Sequence, residues 1–349
     1  MKKREKRTKK LTSLVLLLFL TIVMLSTATY AWFTSNKTIT VSTIDVNVAA
    51  KSGLQISADG YTWKTVITNS DLTNARTGRY SGAKNQIPAV LEPVSTAGEV
   101  ITNSSNGTVG FLEMFTGVVE KYSGDASGDF ALVSENVTES DGSTGNYIAF
   151  DVFLKAEVGA QLYLTSASGV TAKDATPDTG LKNAARVAFV VQGTPTPLAS
   201  GENLSLVQSA VTTDFYLWEP NYDTHTVHGS TAAQQLYSIL EGGNPIPLTG
   251  AAIIPYDGIS AAFSTQIKLF NANATQNPLN FASITPDITT TAGYGAATTF
   301  LDAFPIQAGI TKVRIYMWVE GQDVDCENNA SGSDISFNVQ LSLNDELVP

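Results

Sequence analysis

The stretch Lys312-Val-Arg-Ile-Tyr-Met-Trp-Val-Glu320 decides the fold. Val313, Ile315, Met317 and Val319 alternate with Arg314, Tyr316, Trp318 and Glu320. Successive side chains of an extended chain point to opposite faces, so this run reads as a strand with one apolar and one polar face. Two other runs repeat the pattern. Ile148, Phe150, Val152 and Leu154 alternate with Asp151 and Lys155, and Phe337, Val339, Leu341 and Leu343 with Ser336, Asn338, Gln340 and Ser342. Each predicts one buried face and one wet face. Antiparallel sheets carry this alternation, whereas parallel sheets, covered on both sides, read as unbroken apolar runs.

Working outward, further strands are predicted at Gly110–Glu120, Gln161–Thr165, Arg186–Gln192, Asp214–Trp218 and Thr265–Phe270, with Gly-, Ser- and Asp-rich turns between them. Helix signal is sparse. Thr231-Ala-Ala-Gln234 has the form of a capping box, Leu236, Tyr237 and Leu240 follow at helical spacing, and Gly242 can end the element. A single turn is expected at Gly180–Ala185. The chain is therefore expected to be all-β: an antiparallel β-sandwich, jelly-roll-like, with long loops and one or two short helices. Residues 32–349 form either one sandwich with insertions or two β subdomains.

One strand breaks its own rhythm. Ile39 and Val41 share one parity, while Ile44, Val46 and Val48 share the other, so the phase flips near Ser42-Thr43. Two structures satisfy this: a bulge in one continuous strand, or a separate arm, Thr34–Val41, ahead of a strand that starts at Ile44.

Ahead of that strand lies a basic start, Met1–Lys10, then an uncharged apolar run, Leu11–Ala31, closing on Thr29-Tyr-Ala31. These are the three parts of an export signal. The run is also long enough to remain as a membrane anchor, with its basic flank inside and Trp32-Phe33 at the interface. Either way the bulk of the chain lies outside the cytoplasmic membrane. Residues 1–31 hold seven of the 21 bases and one of the 32 acids, which leaves 14 against 31 and a net charge of −17. Such a surface repels nucleic acid and anionic lipid and attracts cations. Cys326 is the sole cysteine, so no intrachain disulfide forms and stability rests on core burial.

Signals for catalysis are weak. The chain has no His-Glu-x-x-His, no Gly-x-Ser-x-Gly and no Walker-type loop. Ser81-Gly-Ala-Lys84 fits Ser-x-x-Lys without the Lys-Thr-Gly that should accompany it, and reads as a surface loop. His225 and His228 are the two histidines, a metal pair if a helix brings them together and a loop otherwise. Asp323, Asp325 and Glu327 alternate oxygen ligands as a calcium loop does, but lack the glycine and distal glutamate of an EF-hand, so a solvated acidic loop is the other reading. Cys326 inside that loop reads as a packed small side chain. Tyr316 and Trp318 share a strand face, where they either stack on sugar rings or pack beneath a loop. No catalytic, cofactor or metal residue is assigned.

The leader ending Thr27-Ala-Thr-Tyr-Ala-Trp-Phe-Thr34, followed by Thr38-Ile-Thr-Val41 and Ile44-Asp-Val-Asn-Val48, resembles the TasA/camelysin family, exported proteins of Gram-positive bacteria processed by a SipW-type signal peptidase. The resemblance covers about the first fifty residues. It implies a jelly roll at the cell surface or in a biofilm matrix. It also implies fibres in which each subunit lends an N-terminal strand, here Thr34–Val41, to the open sheet edge of the next. Camelysin is classed as a metallopeptidase, but no zinc ligand set carries over to this chain. The expected function is thus an extracellular structural or surface protein, not an enzyme, whose partners are itself or other matrix proteins. The alternatives are a module tethered through residues 11–31 that binds glycan or protein around Trp318, and a metal-dependent hydrolase built on His225/His228 or Asp323/Asp325.

Overall fold

The computed structural model describes residues 39–49, 53–75, 77–96, 101, 110–121, 130–172, 180–192, 215–218, 220, 225–231, 301–321, 323, 325–326 and 334–343. The expected leader or anchor, residues 11–31, and the candidate strand Thr265–Phe270 lie outside these. Among the described residues no helix is long and apolar enough to cross a membrane.

Fourteen strands are described, and most belong to two facing sheets. The first sheet runs β12 (Leu301–Ile306), β8 (Ala160–Leu164), β14 (Asp334–Ser342), β1 (Ile39–Val48), β3 (Val66–Ile67), with β4 (Val90–Leu91) also on β1 and β9 (Gly169–Ala172) also on β14. The second runs β11 (Phe215–Trp218), β10 (Ala185–Val191), β13 (Gly309–Val319), β7 (Ile148–Ala156), β2 (Gln55–Ser57). A separate hairpin pairs β5 (Phe115–Lys121) with β6 (Phe130–Asn136). The eight principal strands β1, β7, β8, β10, β11, β12, β13 and β14, counted in chain order, stand 1-8-3-6 in one sheet and 2-7-4-5 in the other. That is the strand order of a jelly roll, but with β1 parallel to β14 where a jelly roll is antiparallel. The predicted strands that fall on described residues are present, with ends shifted by a few residues. The largest shift is at Gly110–Glu120, where β5 begins only at Phe115.

The inner faces of the two sheets meet in one apolar core. Val313, Ile315, Met317 and Val319 of β13, Ile148, Phe150, Val152 and Leu154 of β7, and Ile335, Phe337, Val339 and Leu341 of β14 are all buried in it. Cys326 packs there as well. At roughly 1.5–3 kcal/mol for each large side chain removed from water, this seam is the main source of stability.

Two sequence expectations need correction. The sheets are not wholly antiparallel, because β1 runs parallel to β14 from Thr40 beside Asp334 to Val48 beside Leu341. No tight hairpin joins these strands, so no turn dictates their relative direction. Nor, apart from Lys155 at the end of β7, are the outer faces of β7 and β13 wet: Asp151, Arg314, Tyr316, Trp318 and Glu320 are all buried. Segments from residues 80–96, 110–114 and 137–147 lie over them and contribute Tyr80, Asn85, Gln86, Phe111 and Tyr147 to a third layer.

Two helical pieces are described. α1 (Asn69–Ala75) escaped the sequence reading because Asn, Ser, Asp and Thr are poor helix formers. Its signal was Thr68-x-x-Asp71, a reciprocal cap in which Asp71 N–H donates to Thr68 Oγ1 and Thr68 N–H to Asp71 Oδ2. The second helix starts at residue 227, not after Thr231. Thr226 is its cap and accepts from Gly229 N–H at 2.9 Å, so Thr231 stands inside the helix. Leu236, Tyr237, Leu240 and Gly242 lie outside the described residues. The turn at Gly180–Ala185 is present, closed by Asn183 and Ala184 N–H on the Gly180 carbonyl.

Candidate functional site

Three polar or irregular places stand out. They are the slot that holds β1, the charged cluster beneath the third layer, and the junction of the two sequence-predicted metal regions.

β1 is a central strand. On one side it meets β14; on the other, Ile39–Thr40 pair with β4 and Val46–Asn47 with β3. The phase flip predicted at Ser42-Thr43 is a bulge: Val41 lies beside Ile335 and Thr43 beside Ser336, so Ser42 is the extra residue. The bulge turns Ile39 inward with Ile44, Val46 and Val48, each at most 3% exposed. Ile39–Val41 therefore belongs to the sheet of its own chain, while Thr34–Thr38 lies outside the described residues.

The charged cluster is built on facing strands. Asp151 of β7 stands directly opposite Arg314 of β13, and Lys312 is diagonal to it. Arg314 Nη1 donates to Asp151 Oδ1 at 2.7 Å, Nη2 to Glu139 and to the Lys84 carbonyl, and Nε to Tyr316 Oη at 3.2 Å. The guanidinium also stacks on Phe111, 4.0 Å from the ring centre. Lys312 Nζ sits 3.1 Å from Asp151 Oδ2, which also accepts from the Tyr80 hydroxyl at 2.6 Å. Two cations thus meet two carboxylates in a water-excluded layer, which is the condition under which buried charges are tolerated. Burial lowers the affinity of Arg314 for its proton, and burial with the Asp151 charge pushes the Tyr80 hydroxyl far up, so the phenol stays a donor. Tyr316 Oη accepts from Leu112 N–H, and Trp318 Nε1 donates to Glu320. Both aromatics lie under loops, so the sugar-stacking face around Trp318 is covered. Gln86 ties the layer down from its centre, with Nε2 on the Tyr147 carbonyl and Oε1 on Ser140 N–H. Gly145 has φ +121°, and a Cβ there would fall 2.2 Å from the Gln86 side chain.

The third place joins residues that the sequence reading kept apart. Asp325 Oδ1 accepts from Thr226 N–H and Oγ1, both at 2.8 Å, and Oδ2 lies 3.0 Å from His225 Nδ1. Asp323 is bound to Arg186, and its Oδ1 accepts from Asp325 N–H. The two aspartates therefore cap a helix start and neutralise an arginine rather than facing outward together. Burial raises the Asp325 carboxyl; the His225 hydrogen bond opposes this without cancelling it. His225 is buried and His228 exposed, so the pair does not converge. Gly180, φ +77°, packs so closely that a Cβ would lie 2.7 Å from the Asp325 carbonyl oxygen. Glu327 lies outside the described residues, among which no group of three or more His, Cys, Asp or Glu could hold a metal ion. Ser81 and Lys84 are exposed, as a surface loop should be.

The architecture defines a β-sandwich-like all-β protein. No known protein family matches the chain, and neither a curated protein nor a solved structure is significantly similar to it.

Proposed function

We propose that the protein is an exported structural subunit of an extracellular matrix or cell surface, which associates with its own copies by exchanging β1. The supporting observation is that β1 fills a central sheet position while running parallel to β14, free of any hairpin that would set its direction. Its four inward side chains, Ile39, Ile44, Val46 and Val48, are fully in the core. At about 1.5–3 kcal/mol each, an empty slot would cost as much as the net stability of a typical domain. The slot is therefore always filled, but the geometry is indifferent to which copy fills it. Exchange conserves every contact and adds an intermolecular tie, which is β-augmentation at an edge that β14 would otherwise expose. The basic-apolar-small leader supports placement outside the membrane. His225 and Asp325, which form a close acid–imidazole pair, are engaged in capping, consistent with a role in association rather than bond-making.

A cysteine pair tests this. Asp45 and Asn338 are register partners facing outward. The Asp45→Cys/Asn338→Cys protein, oxidised after assembly, should run as covalent multimers, while oxidised monomer carries the bond within one chain and is blocked from assembling until reduced. Deletion of residues 32–41 should abolish filaments seen by electron microscopy. Filaments that survive the deletion and carry only intrachain disulfides would refute the exchange.

A further inference from the structure

Positive charge in this acidic chain is concentrated. Between Gly60 and Lys84 stand four bases, Lys64, Arg76, Arg79 and Lys84, against one acid, Asp71. The rest of residues 32–349 holds 10 bases and 30 acids. The fold adds Lys155, exposed at the end of β7, to this stretch. Arg79 lies over the Tyr61 ring at 5.0 Å, and Lys155 over the Trp63 ring at 5.4 Å. Both rings pack on one small apolar cluster, Tyr80, Ala83, Phe153 and Ile310, so the two cation–ring pairs sit on a single patch. In each pair the cation rests on a ring, so the charge is held in place yet left available to a ligand anion. The other described tryptophans, Trp218 and Trp318, are buried, whereas Trp63 is half-exposed.

We propose that this patch binds an acidic polysaccharide, with sugar carboxylates on Arg79 and Lys155 and the apolar side of a pyranose ring against Trp63 and Tyr61. The guanidinium fork of Arg79 suits a planar carboxylate. Screening over about 10 Å at ordinary salt lets a local positive patch act despite the acidic remainder. That remainder also selects the ligand. A duplex, with one charge per about 1.7 Å along a long track, would run from the patch onto repelling surface, while a short run of uronate sugars stays within it. Thr62 and Lys64, on the same loop, line an adjoining pocket of about 190 Å³ in which Asp59 is engaged by Thr62 and Asp71 by Lys64, leaving Asn74 to offer a further polar contact to hydroxyls.

The site is independent of strand exchange and is tested on the full chain by titration calorimetry with oligogalacturonate, dextran, polyphosphate and duplex DNA. Oligogalacturonate should bind and dextran should not. Arg79→Gln and Lys155→Gln should each weaken binding by roughly five- to tenfold, as loss of a charge-assisted contact does. Trp63→Ala should weaken it without a change in salt dependence, and all three variants should keep the parent circular dichroism spectrum. Absence of oligogalacturonate binding overturns the proposal. So does binding of polyphosphate or DNA at equal strength with Trp63→Ala neutral, which marks a charge-only site. Salt-sensitive self-association abolished by Arg79→Gln would assign the patch to a second copy of the chain and overturn it as well.

Discussion

β13 and β14 have the same alternating pattern and the same kind of inner face, yet their outer faces end in opposite surroundings. On β14, Ser336, Asn338 and Gln340 remain half-exposed, and Asn338 and Gln340 are tied to Asn47 and Thr165 in a ladder of side-chain amides and hydroxyls. On β13, Arg314, Tyr316 and Trp318 are fully buried beneath a third layer. Alternation therefore identifies the face that meets the partner sheet. It is silent on whether the other face meets water. The residues differ in kind as well: amides and hydroxyls lose little when half-wetted, whereas a buried guanidinium requires carboxylates beside it.

The sharpest way to break this comparison is to remove the charge at the centre of the covered face. Arg314→Leu leaves Asp151 and Glu139 without their shared cation and should cost about 3–5 kcal/mol, read as a lower denaturant midpoint. A loss under 1 kcal/mol would mean that the third layer opens to water and that the two faces are alike. Next in size, Asp325→Ala removes the acceptor for Thr226 and His225 and should cost about 1–3 kcal/mol. Faster amide exchange confined to the helix beginning at residue 227 would locate that loss. On the open face, Gln340→Ala should cost about 0.5–1 kcal/mol, since water replaces the lost partners. An effect equal to that of Arg314→Leu would erase the distinction.

The smallest expected effect is a pH dependence at α1. Burial alone would raise the Asp71 carboxyl, but hydrogen bonds from Lys64 and Thr68 outweigh it and hold the group below its ordinary value of 3.8. A depressed carboxyl stabilises the fold above its unfolded value, and that contribution is lost as pH falls through the folded one. Asp71→Asn should therefore lower stability slightly at neutral pH, converge with the parent at low pH, and so flatten the acid side of the stability profile. Thermal melts between pH 2 and 5 would show it.

Much of the sandwich was legible because its signals are local. The inward residues of β7, β13 and β14 follow from parity alone. The phase break near Ser42-Thr43 follows from two parities that no regular strand reconciles, and the structure decided that it is a bulge and not a separate arm. Cys326 and the Ser81–Lys84 loop also fell where composition places them. What escaped has a common character. Asp151 and Arg314 are 163 positions apart, and Asp325 and His225 are 100 apart. Each pair reads singly as a solvated charge or a possible ligand. The α1 cap at Thr68-x-x-Asp71 was in plain view but lay within residues of low helix propensity.

Short-range stereochemistry, the alternation of a pleated backbone, set the strands, their inner faces and the break in β1, and these needed only the sequence. The parallel seating of β1 against β14, the roof over Arg314 and the meeting of Asp325 with His225 were decided by the tertiary structure. They depend on segments far apart in the chain, and the free energy of burying a charge is settled only by what arrives beside it.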